Sequence, residues 1–302
     1  ARLLRKTPHD VLYLNSFFAF AFTGLPLLAR RLGMAPRKPC VIAPRGEFSP
    51  GAISLKAAKK RVYLAASRAI GLYDYLHWQA SSAFEAEDIR REFGARAKVI
   101  DVAPDLPPKL GGTGRPDNAA ALRAPGPLSI VFLSRISPKK NLDYLLGVLK
   151  GVTEPVTLAI YGPLREPDYW QRCMNLIDEL PIHVSVDYRG EVNPIDVTAT
   201  FAQYDLFALP TRGENFGHVI LESLIAGTPV LLSDQTPWRD SGDGALNVLP
   251  LDDGRHWQQA IDQFAKLSCS ALAERRHAAL AYVKSYLSGD QVLQQNRSLF
   301  LT

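Results

Sequence analysis

Short apolar segments alternate with helix-length segments along most of the chain, and this alternation constrains the fold more than any other feature. The segments typical of strands are 11–15, 40–44, 97–104, 128–135, 156–163, 183–190, 206–211, 229–234 and 245–250. The segments typical of helices are 53–70, 79–94, 141–152, 167–180, 194–204, 217–226, 255–267, 270–287 and 289–300. Strands that alternate with helices predict doubly wound α/β domains with parallel sheets. In such sheets ligands bind beyond the carboxyl ends of the strands, so functional residues are expected just after strands.

The length and one Pro- and Gly-rich segment predict two domains. A chain of 302 residues is long enough for two ordinary domains. Residues 104–127 are rich in Pro and Gly and are the best candidate for a linker. We therefore expect a first domain with its linker at 1–125, a second domain at 126–288, and a helix at 289–302 that packs back on the first domain. The first residue is not Met, which is typical of a fragment of a longer chain.

The charged residues are divided unevenly between these two parts. Residues 1–125 contain 20 Lys and Arg against 10 Asp and Glu, whereas residues 126–302 contain 15 against 20. A basic domain joined to an acidic one suggests different partners, with an anionic ligand or surface near the first. The basic part does not interleave its cations with aromatic residues, and the acidic part would repel a phosphate backbone. A nucleic-acid partner is therefore not expected.

The spacing of the cysteines indicates the redox state of the compartment in which the protein resides. Cys40, Cys173 and Cys269 lie far apart in the sequence and show no CxxC spacing. This pattern argues against a disulfide framework or a zinc site. It favours a reducing compartment, so a cytoplasmic location is expected.

The apolar segment 11–29 has two interpretations. Basic residues flank it on both sides, as they flank a signal sequence or a membrane span. Asn15, Ser16, Gly24 and Pro26 interrupt it, which favours a buried parallel strand followed by an apolar helix.

Four cations, Lys56, Lys59, Lys60 and Arg61, lie close together within the predicted helix 53–70. A solvated helix face is the default interpretation of such a group. The alternative is an amphipathic basic helix that lies on anionic lipid, because several cations together are attracted to such a surface. That alternative implies peripheral contact of the basic half with the inner face of a membrane.

A cationic cluster follows the predicted strand 128–135. Ser134 and Arg135 end the strand, and Lys140 lies where the next helix begins. A strand end, two cations and a helix N-terminus are typical of a phosphate or diphosphate site. A solvated basic turn is an equally good alternative, because Lys and Arg are common loop residues.

A second cluster, with two carboxylates, follows the predicted strand 206–211. Glu214 lies in the loop, Gly217 begins the next helix, and Glu222 lies within that helix. A helix N-terminus favours an anion, but carboxylates beside a phosphate are repelled unless they bind hydroxyl groups. A nucleotide sugar, with phosphates between two polyols, meets both conditions. The alternatives are an ordinary loop glutamate at 214 and an ordinary helix-surface glutamate at 222.

These motifs resemble glycosyltransferase family 4. The segment PTRGENFGHVILESLIAGTPVLLSD, which contains Glu214 and Glu222, resembles the family signature, and SRISPKKNLDYLL and DYRGEV resemble its phosphate motif and base-proximal turn. In the first half, APRGEFSPGA and QASSAFEAEDIRREFG resemble a branch that acts in bacterial polysaccharide or lipopolysaccharide assembly. The resemblance implies the GT-B fold, with two Rossmann-like doubly wound parallel-sheet domains that face a cleft.

The resemblance also implies the site residues. Glu214, Arg135 and Lys140 would be catalytic, with Glu214 on the donor sugar and the two cations on the leaving diphosphate. Glu222 would hold the ribose hydroxyls. The rest of the donor site would be Ser134, Gly190, Asn215, Phe216, Gly217, His218 and Val219. Arg45 and Gly46 would line the cleft from the first domain.

The implied reaction is a retaining glycosyl transfer of class EC 2.4. The donor would be a nucleoside-diphosphate sugar carrying UDP or GDP, and the acceptor a glycan or a lipid-linked molecule. No cofactor is expected, and the absence of a clear Asp-x-Asp motif at a strand end favours a metal-free site. Arg, Lys and helix amides would then stabilise the charge that develops on the leaving diphosphate, and the phosphate itself would take the acceptor proton.

One departure from the family bears on the first domain. Many members carry a Gly-rich loop after the first strand of that domain, and this chain has none. We therefore expect the first domain to lack its first strands. The departure motivates an alternative function from another class, a non-catalytic module that binds a nucleotide sugar or a glycan.

Overall fold

The chain folds into two compact units, which comprise residues Ala1–Leu106 with Asp290–Thr302, and Pro107–Gly289. The structure is a computed structural model that describes residues 2–54, 56–106, 126–288 and 291–301. Most of the predicted linker 104–127 lies outside the described residues. The C-terminal segment belongs to the first unit, where Asn296 Nδ2 donates to Pro104 O at 2.8 Å.

The first unit contains one parallel sheet within the described residues. Its strands are β1 (Leu12–Asn15), β2 (Cys40–Ala43), β3 (His77–Ala80) and β4 (Val99–Val102), in the order β1-β2-β3-β4. Its helices are α1 (Arg2–Lys6), α2 (Gly24–Arg31), α3 (Pro50–Ser54), α4 (Ala57–Ala69), α5 (Ala83–Phe93) and, from the C-terminal segment, α12 (Gln291–Ser298).

The second unit contains a larger parallel sheet. Its strands are β5 (Leu128–Leu133), β6 (Val156–Tyr161), β7 (Val184–Tyr188), β8 (Leu206–Leu209), β9 (Val230–Ser233) and β10 (Leu246–Leu249), in the order β10-β9-β8-β5-β6-β7. Its helices are α6 (Leu142–Leu149), α7 (Pro167–Asp178), α8 (Val197–Phe201), α9 (His218–Ile225), α10 (Gly254–Ala265) and α11 (Cys269–Ser288). Two parallel-sheet α/β domains are the predicted fold class, which is confirmed.

The predicted elements of the second half agree with the structure to within a few residues. The central strands β8 and β9 are buried along their whole length, because helices cover both faces of a doubly wound sheet, whereas the edge strand β7 exposes two of its five residues. The first half needs two corrections. The strand β3 was not predicted, and the predicted helix 53–70 is divided into α3 and α4, with Lys56 in a left-handed conformation at the start of α4.

The apolar segment 11–29 forms the strand β1, a turn and the beginning of α2. Glu47 fixes the turn, because its carboxylate accepts hydrogen bonds from the amides of Phe17 and Phe18 at 2.5 and 3.0 Å. Phe17 is fully buried and stacks on Tyr73 with ring centroids 4.3 Å apart. The interruptions noted in the sequence therefore mark a turn. Within the described residues, no helix has both the length and the apolar character needed to cross a bilayer.

The helix α5 shows how local sequence sets element ends. Ser82 caps its first turn by accepting a hydrogen bond from the amide of Glu85 at 3.2 Å, and Gly94 ends it with a positive φ of 51°. A serine at the first position and a glycine after the last are common signals of helix ends.

Candidate functional site

The candidate site lies where the strand order of the larger sheet reverses. Strands β5 and β8 are neighbours, with Ile130 paired to Leu206 and Val131 to Phe207. The chain proceeds from β5 toward β6 on one side and from β8 toward β9 on the other. The carboxyl ends of β5 and β8 therefore form the switch point at which open α/β sheets bind ligands. Both clusters predicted from the sequence begin there.

A close backbone approach organises the exits of β5, β6 and β7. A Cβ atom on Gly162 would lie 1.8 Å from the carbonyl oxygen of Ser134, and Gly162 has a φ of +141°. Only glycine fits at this position. The amide of Gly162 donates to Gly190 O at 2.8 Å. Ser134 and Gly190, both predicted donor residues, are thereby held on the two sides of Gly162.

A buried ion pair joins the two predicted clusters. Lys140 Nζ donates to Glu214 Oε2, and the side chains are only 9% and 14% exposed. Backbone contacts support the pair, because the amide of Arg212 donates to Lys139 O at 2.8 Å. The sequence predicted separate roles for Lys140 and Glu214 and did not predict that they bind each other. An ammonium group has three N–H donors, so Lys140 can bind a ligand oxygen while it holds Glu214.

Arg135 has a different environment from Lys140. Its side chain is exposed at the end of β5, and no carboxylate in the described part of the chain pairs with it. A guanidinium is always charged and binds phosphate oxygens through paired N–H groups. Arg135 is therefore a cation of the site whose charge is available to an anion.

The sequence did not single out Asn141 and Arg212, which brace the site. Asn141 begins α6 in a left-handed conformation with a φ of 64°. Its Nδ2 donates to Pro210 O at 2.9 Å, and its Oδ1 accepts from Arg212 Nε at 2.9 Å. Only their positions in the sequence could have identified these two residues, since Asn141 directly follows Lys140 and Arg212 is the first cation after β8. Both also line an open cavity of about 480 Å³, together with Tyr144, Asp234 and Asp252.

The start of α9 requires glycine. Gly217 has a φ of +81°, and a Cβ atom there would lie 2.7 Å from Ile220 Cδ1 and 2.9 Å from Glu214 Cγ. Amides in the first turn of a helix have no partner within the helix and carry the positive end of its dipole. The predicted amides of Gly217, His218 and Val219 thus lie beside the loop that carries Glu214.

Aromatic packing anchors this loop. Phe216 is 4% exposed, and Trp238 Nε1 donates to its carbonyl oxygen at 2.6 Å. The Trp238 indole is itself buried and packs on the Phe216 ring, with centroids 5.6 Å apart. Phe216 lies between Asn215 and Gly217, and its predicted place in the donor site stays a prediction.

Glu222 lies one turn into α9 and is half-buried. Burial raises the pKa of its carboxyl group, and the nearby His218 opposes that shift. Desolvation disfavours the charged carboxylate, so hydroxyl donors from a ligand would stabilise it.

Arg45 and Gly46 lie in the first unit, after β2. The Arg45 guanidinium donates to Asn15 Oδ1 at 2.8 Å and to the Tyr13 hydroxyl at 2.7 Å, and it forms an ion pair with Asp105. The amide of Gly46 donates to the buried carboxylate of Glu85 at 2.5 Å. These partners place both residues at the carboxyl end of the first sheet. Their predicted place in a cleft stays a prediction.

The described residues contain no group of three or more His, Cys, Asp and Glu side chains that could hold a metal ion.

The sequence matches a known family. A profile of the family described as glycosyl transferases group 1 matches residues 115–267. The D-inositol 3-phosphate glycosyltransferase of Nocardia farcinica is 30% identical over 218 residues, which are 66% of this chain and 45% of that protein. The phosphatidyl-myo-inositol mannosyltransferase of Mycobacterium leprae is 28% identical over 211 residues, which are 67% of this chain and 50% of that protein. The chain thus spans half or less of the length of these curated relatives.

Solved structures share the fold. The structure of Anabaena HepE in complex with UDP and glucose aligns with a TM-score of 0.71 at 19% identity, covering 96% of this chain and 78% of that one. Sucrose-phosphate synthase from Thermosynechococcus elongatus aligns with a TM-score of 0.65 at 17% identity, covering 98% and 75%. At these identities the likeness concerns the fold, and it confirms the predicted GT-B class.

Proposed function

The chain belongs to the group 1 glycosyl transferases, and from that premise we propose that its second unit binds a nucleoside-diphosphate sugar at the switch point and takes part in transferring the sugar. The observation that carries the proposal is the buried Lys140–Glu214 pair, which joins the loops after β5 and β8 beside the start of α9. That pair brings a cation, a hydroxyl-binding carboxylate and a helix N-terminus to one place.

The diphosphate is assigned to the cations and the helix. Arg135 supplies a charge that no described carboxylate balances, Lys140 supplies its remaining N–H donors, and α9 supplies amides and its dipole. Such preorganised donors are most effective in the transition state, when charge develops on the leaving group. Because these groups supply the stabilisation, the proposed step requires no metal ion.

The two carboxylates are assigned to hydroxyl groups on either side of the diphosphate. Glu214, held by Lys140, accepts hydrogen bonds from the donor sugar. Glu222 accepts hydrogen bonds from the ribose, and Gly190 lies near the base. UDP is the first nucleotide to test, because HepE is described in complex with UDP-glucose and a trehalose-phosphate synthase of the same fold is described as UDP-forming. GDP is the alternative.

The proposed reaction retains the configuration of the sugar. The bond between the anomeric carbon and the diphosphate oxygen breaks, and a bond from the acceptor oxygen forms on the same face. The acceptor proton passes to the leaving phosphate oxygen, so no side chain serves as a covalent nucleophile. The proposed acceptor is a glycan or a lipid-linked molecule, and the relative named for phosphatidyl-myo-inositol supports a lipid-linked one. Bacterial polysaccharide or lipopolysaccharide assembly is the proposed setting.

Calorimetric titration of the whole chain with UDP and with GDP tests the donor site. Glu222→Ala and Arg135→Ala are each expected to weaken binding about tenfold or more, since a hydrogen bond to a charged group contributes about 1.5–3 kcal/mol. Lys150→Ala is the matched control, because Lys150 belongs to an exposed pair with Glu179. Absence of binding by the wild type, or equal binding by all variants, refutes the site.

A second assay separates transfer from binding. Release of nucleotide from a panel of nucleotide sugars in the presence of glycan acceptors would establish a transferase. Tight binding without release would favour the alternative, a non-catalytic nucleotide-sugar or glycan-binding module.

A further inference from the structure

The open cavity of about 480 Å³ lies at the carboxyl ends of β8, β9 and β10, beside the groups assigned to the donor. We call it the β8–β10 cavity. Its volume is in the range of sites that bind small molecules. Polar side chains from the three strand ends line it together with an apolar wall. The polar residues are Arg212, Asp234, Gln235 and Asp252, and the apolar wall is formed by Tyr144 and Leu251.

The cavity and the helix N-terminus assigned to the diphosphate lie on opposite faces of the larger sheet. Tyr144 is part of α6, and Asp252 lies two residues before α10, which packs against α6. The amides assigned to the diphosphate belong to α9, which packs against α8 and α11. Right-handed crossovers explain this division, because the chain leaves β5 and β8 in opposite directions along the sheet. The cavity is therefore distinct from the proposed nucleotide site.

Hydrogen bonds and ring packing fix the walls of the cavity. The amide of Asp234 donates to Leu249 O at 3.0 Å, which joins the ends of β9 and β10. Trp257 Nε1 donates to Pro250 O at 2.8 Å, and the Trp257 ring packs edge to face on Tyr144 with centroids 5.7 Å apart. The cavity is therefore preformed between braced segments, as binding sites for small molecules usually are.

The charges of the cavity favour a neutral ligand with many hydroxyl groups. One cation, Arg212, accompanies two carboxylates, Asp234 and Asp252, so an anionic ligand would meet a net negative charge. Asp234 accepts a hydrogen bond from Gln235 Nε2 at 2.8 Å, whereas the exposed Asp252 has no hydrogen-bond or ion-pair partner among the described residues. Tyr144 Oη is buried and also has no partner in the described part of the chain. Donors and acceptors around an apolar wall match a sugar ring, which has hydroxyls at its rim and apolar faces.

The cavity shares a wall with the loop that carries Glu214. The amide of Glu214 donates to Gln235 O at 3.0 Å, and Arg212 lies two residues before Glu214 in the same loop. A ligand in the cavity therefore contacts the loop that is proposed to bind the donor sugar, on the side away from α9.

We propose that the β8–β10 cavity is a subsite for a neutral sugar unit of the acceptor. This assignment rests on the proposed function, because it names part of the acceptor of that transfer. Asp234, Gln235 and Asp252 hold hydroxyls of the sugar, and the ring of Tyr144 packs against its apolar face. The unit bound here is not the one that carries the reacting hydroxyl, because the loop of Glu214 separates the cavity from α9. The second unit thus contributes to the choice of acceptor as well as to donor binding.

Saturation-transfer NMR of the whole chain, without nucleotide, tests the subsite. The probes are the methyl glycosides of glucose, mannose and galactose, with methyl glucuronide as the anionic counterpart of the glucoside. The wild type is expected to bind at least one neutral glycoside in the millimolar range, as is usual for so small a ligand. Methyl glucuronide is expected to bind about tenfold more weakly, because the carboxylates of the cavity repel it.

The double variant Asp234→Ala with Asp252→Ala removes the two carboxylates. It is expected to weaken binding of the neutral glycoside about tenfold or more, since each carboxylate accepts hydrogen bonds as a charged group. It is also expected to lose the preference for the neutral glycoside over the glucuronide, which a general loss of structure would not produce. Arg212 is left unchanged because it braces Asn141 Oδ1.

Asp178→Ala with Asp196→Ala is the matched control, because both carboxylates are exposed on the second unit and lie outside the cavity. This control is expected to bind the glycosides as the wild type does. Both double variants are expected to keep the wild-type thermal midpoint and the wild-type affinity for UDP.

Titration of the same samples with UDP separates this proposal from the donor site. UDP binding without binding of any neutral glycoside overturns the subsite alone. Glycoside binding that depends on the two carboxylates, without UDP binding, overturns the donor assignment and leaves a sugar site.

Two further results would also overturn the subsite. One is equal glycoside binding by the wild type and the Asp234→Ala, Asp252→Ala variant. The other is Mg²⁺ binding that this variant abolishes, together with no glycoside binding, which would assign the carboxylates to a cation.

Discussion

Removing one partner of the Lys140–Glu214 pair is the sharpest perturbation that the site offers. The side chains are 9% and 14% exposed, so the pair is close to fully buried. Breaking a buried pair leaves an uncompensated charge away from water, at a cost of about 3–5 kcal/mol. Lys140→Met and Glu214→Gln are each expected to destabilise the second unit by about that amount.

The double variant distinguishes a buried pair from two independent side chains. Replacing both charges leaves no unpaired ion, so the double variant is expected to lose less than either single variant, because exchanging a buried pair for uncharged groups is often close to neutral. The two single losses then add to far more than the double loss, and the cycle gives a coupling of ~3 kcal/mol or more. The exposed pair Lys150–Glu179, with side chains 32% and 64% exposed, is the matched control. The same cycle there is expected to give about 0.2–1 kcal/mol.

Urea unfolding followed by tryptophan fluorescence measures these energies. Trp170, Trp238 and Trp257, three of the four tryptophans, lie in the second unit, so the signal reports mainly on that unit. A double variant that loses the sum of the two single losses would refute the reasoning. So would a coupling no larger than that of the Lys150–Glu179 control.

The remaining predictions concern Glu222 and Gly162. Burial raises the folded-state pKa of Glu222, so the native state binds its proton more tightly than the unfolded chain does. The free energy of unfolding therefore falls as the pH rises through the range in which this carboxyl group ionises. Glu222→Gln is therefore expected to raise the urea midpoint at neutral pH and to lose this gain in acid. The same variant is expected to weaken UDP binding. A lower urea midpoint at neutral pH would contradict the raised pKa of Glu222. Gly162→Ala is expected to cost at least ~2 kcal/mol, because its Cβ would lie 1.8 Å from Ser134 O. Gly242→Ala, at a φ of +74° with open space around it, is the control and should cost about 1–2 kcal/mol in urea unfolding.

The central strands of the second unit were predictable because their burial is nearly continuous. A strand covered on both faces shows an uninterrupted apolar run, which is visible without knowledge of its neighbours. The strand β3 lacks this signal, since His77 and Gln79 alternate with Trp78 and Ala80. Their polar groups are satisfied far along the chain, where His77 Nε2 lies 2.7 Å from Asp101 Oδ2 and Gln79 Nε2 donates to Ala103 O at 2.8 Å.

Contacts between segments that are distant in the sequence also limit what the sequence reveals of the site. Arg135, Lys140, Glu214 and Glu222 were identifiable because they follow strands, and strand ends are where ligands bind in this architecture. The pairing of Lys140 with Glu214 was not identifiable, because it depends on β5 and β8 being neighbours in the sheet. Strand order is a property of the whole fold, and no local pattern encodes it.

The Lys140–Glu214 pair changes how the charge of the acidic second unit should be understood. The unit has few cations for an anionic ligand, and the charge of Lys140 is already balanced by Glu214. Long-range attraction of a diphosphate therefore depends on Arg135, on Arg212, whose described partner is the amide oxygen of Asn141, and on the positive end of the α9 dipole. Lys140 acts at short range, where it orients Glu214 and offers its other N–H groups. The pair thus fixes the geometry of the loop before a ligand arrives, and Arg135 and Arg212 provide the net charge that an arriving nucleotide meets.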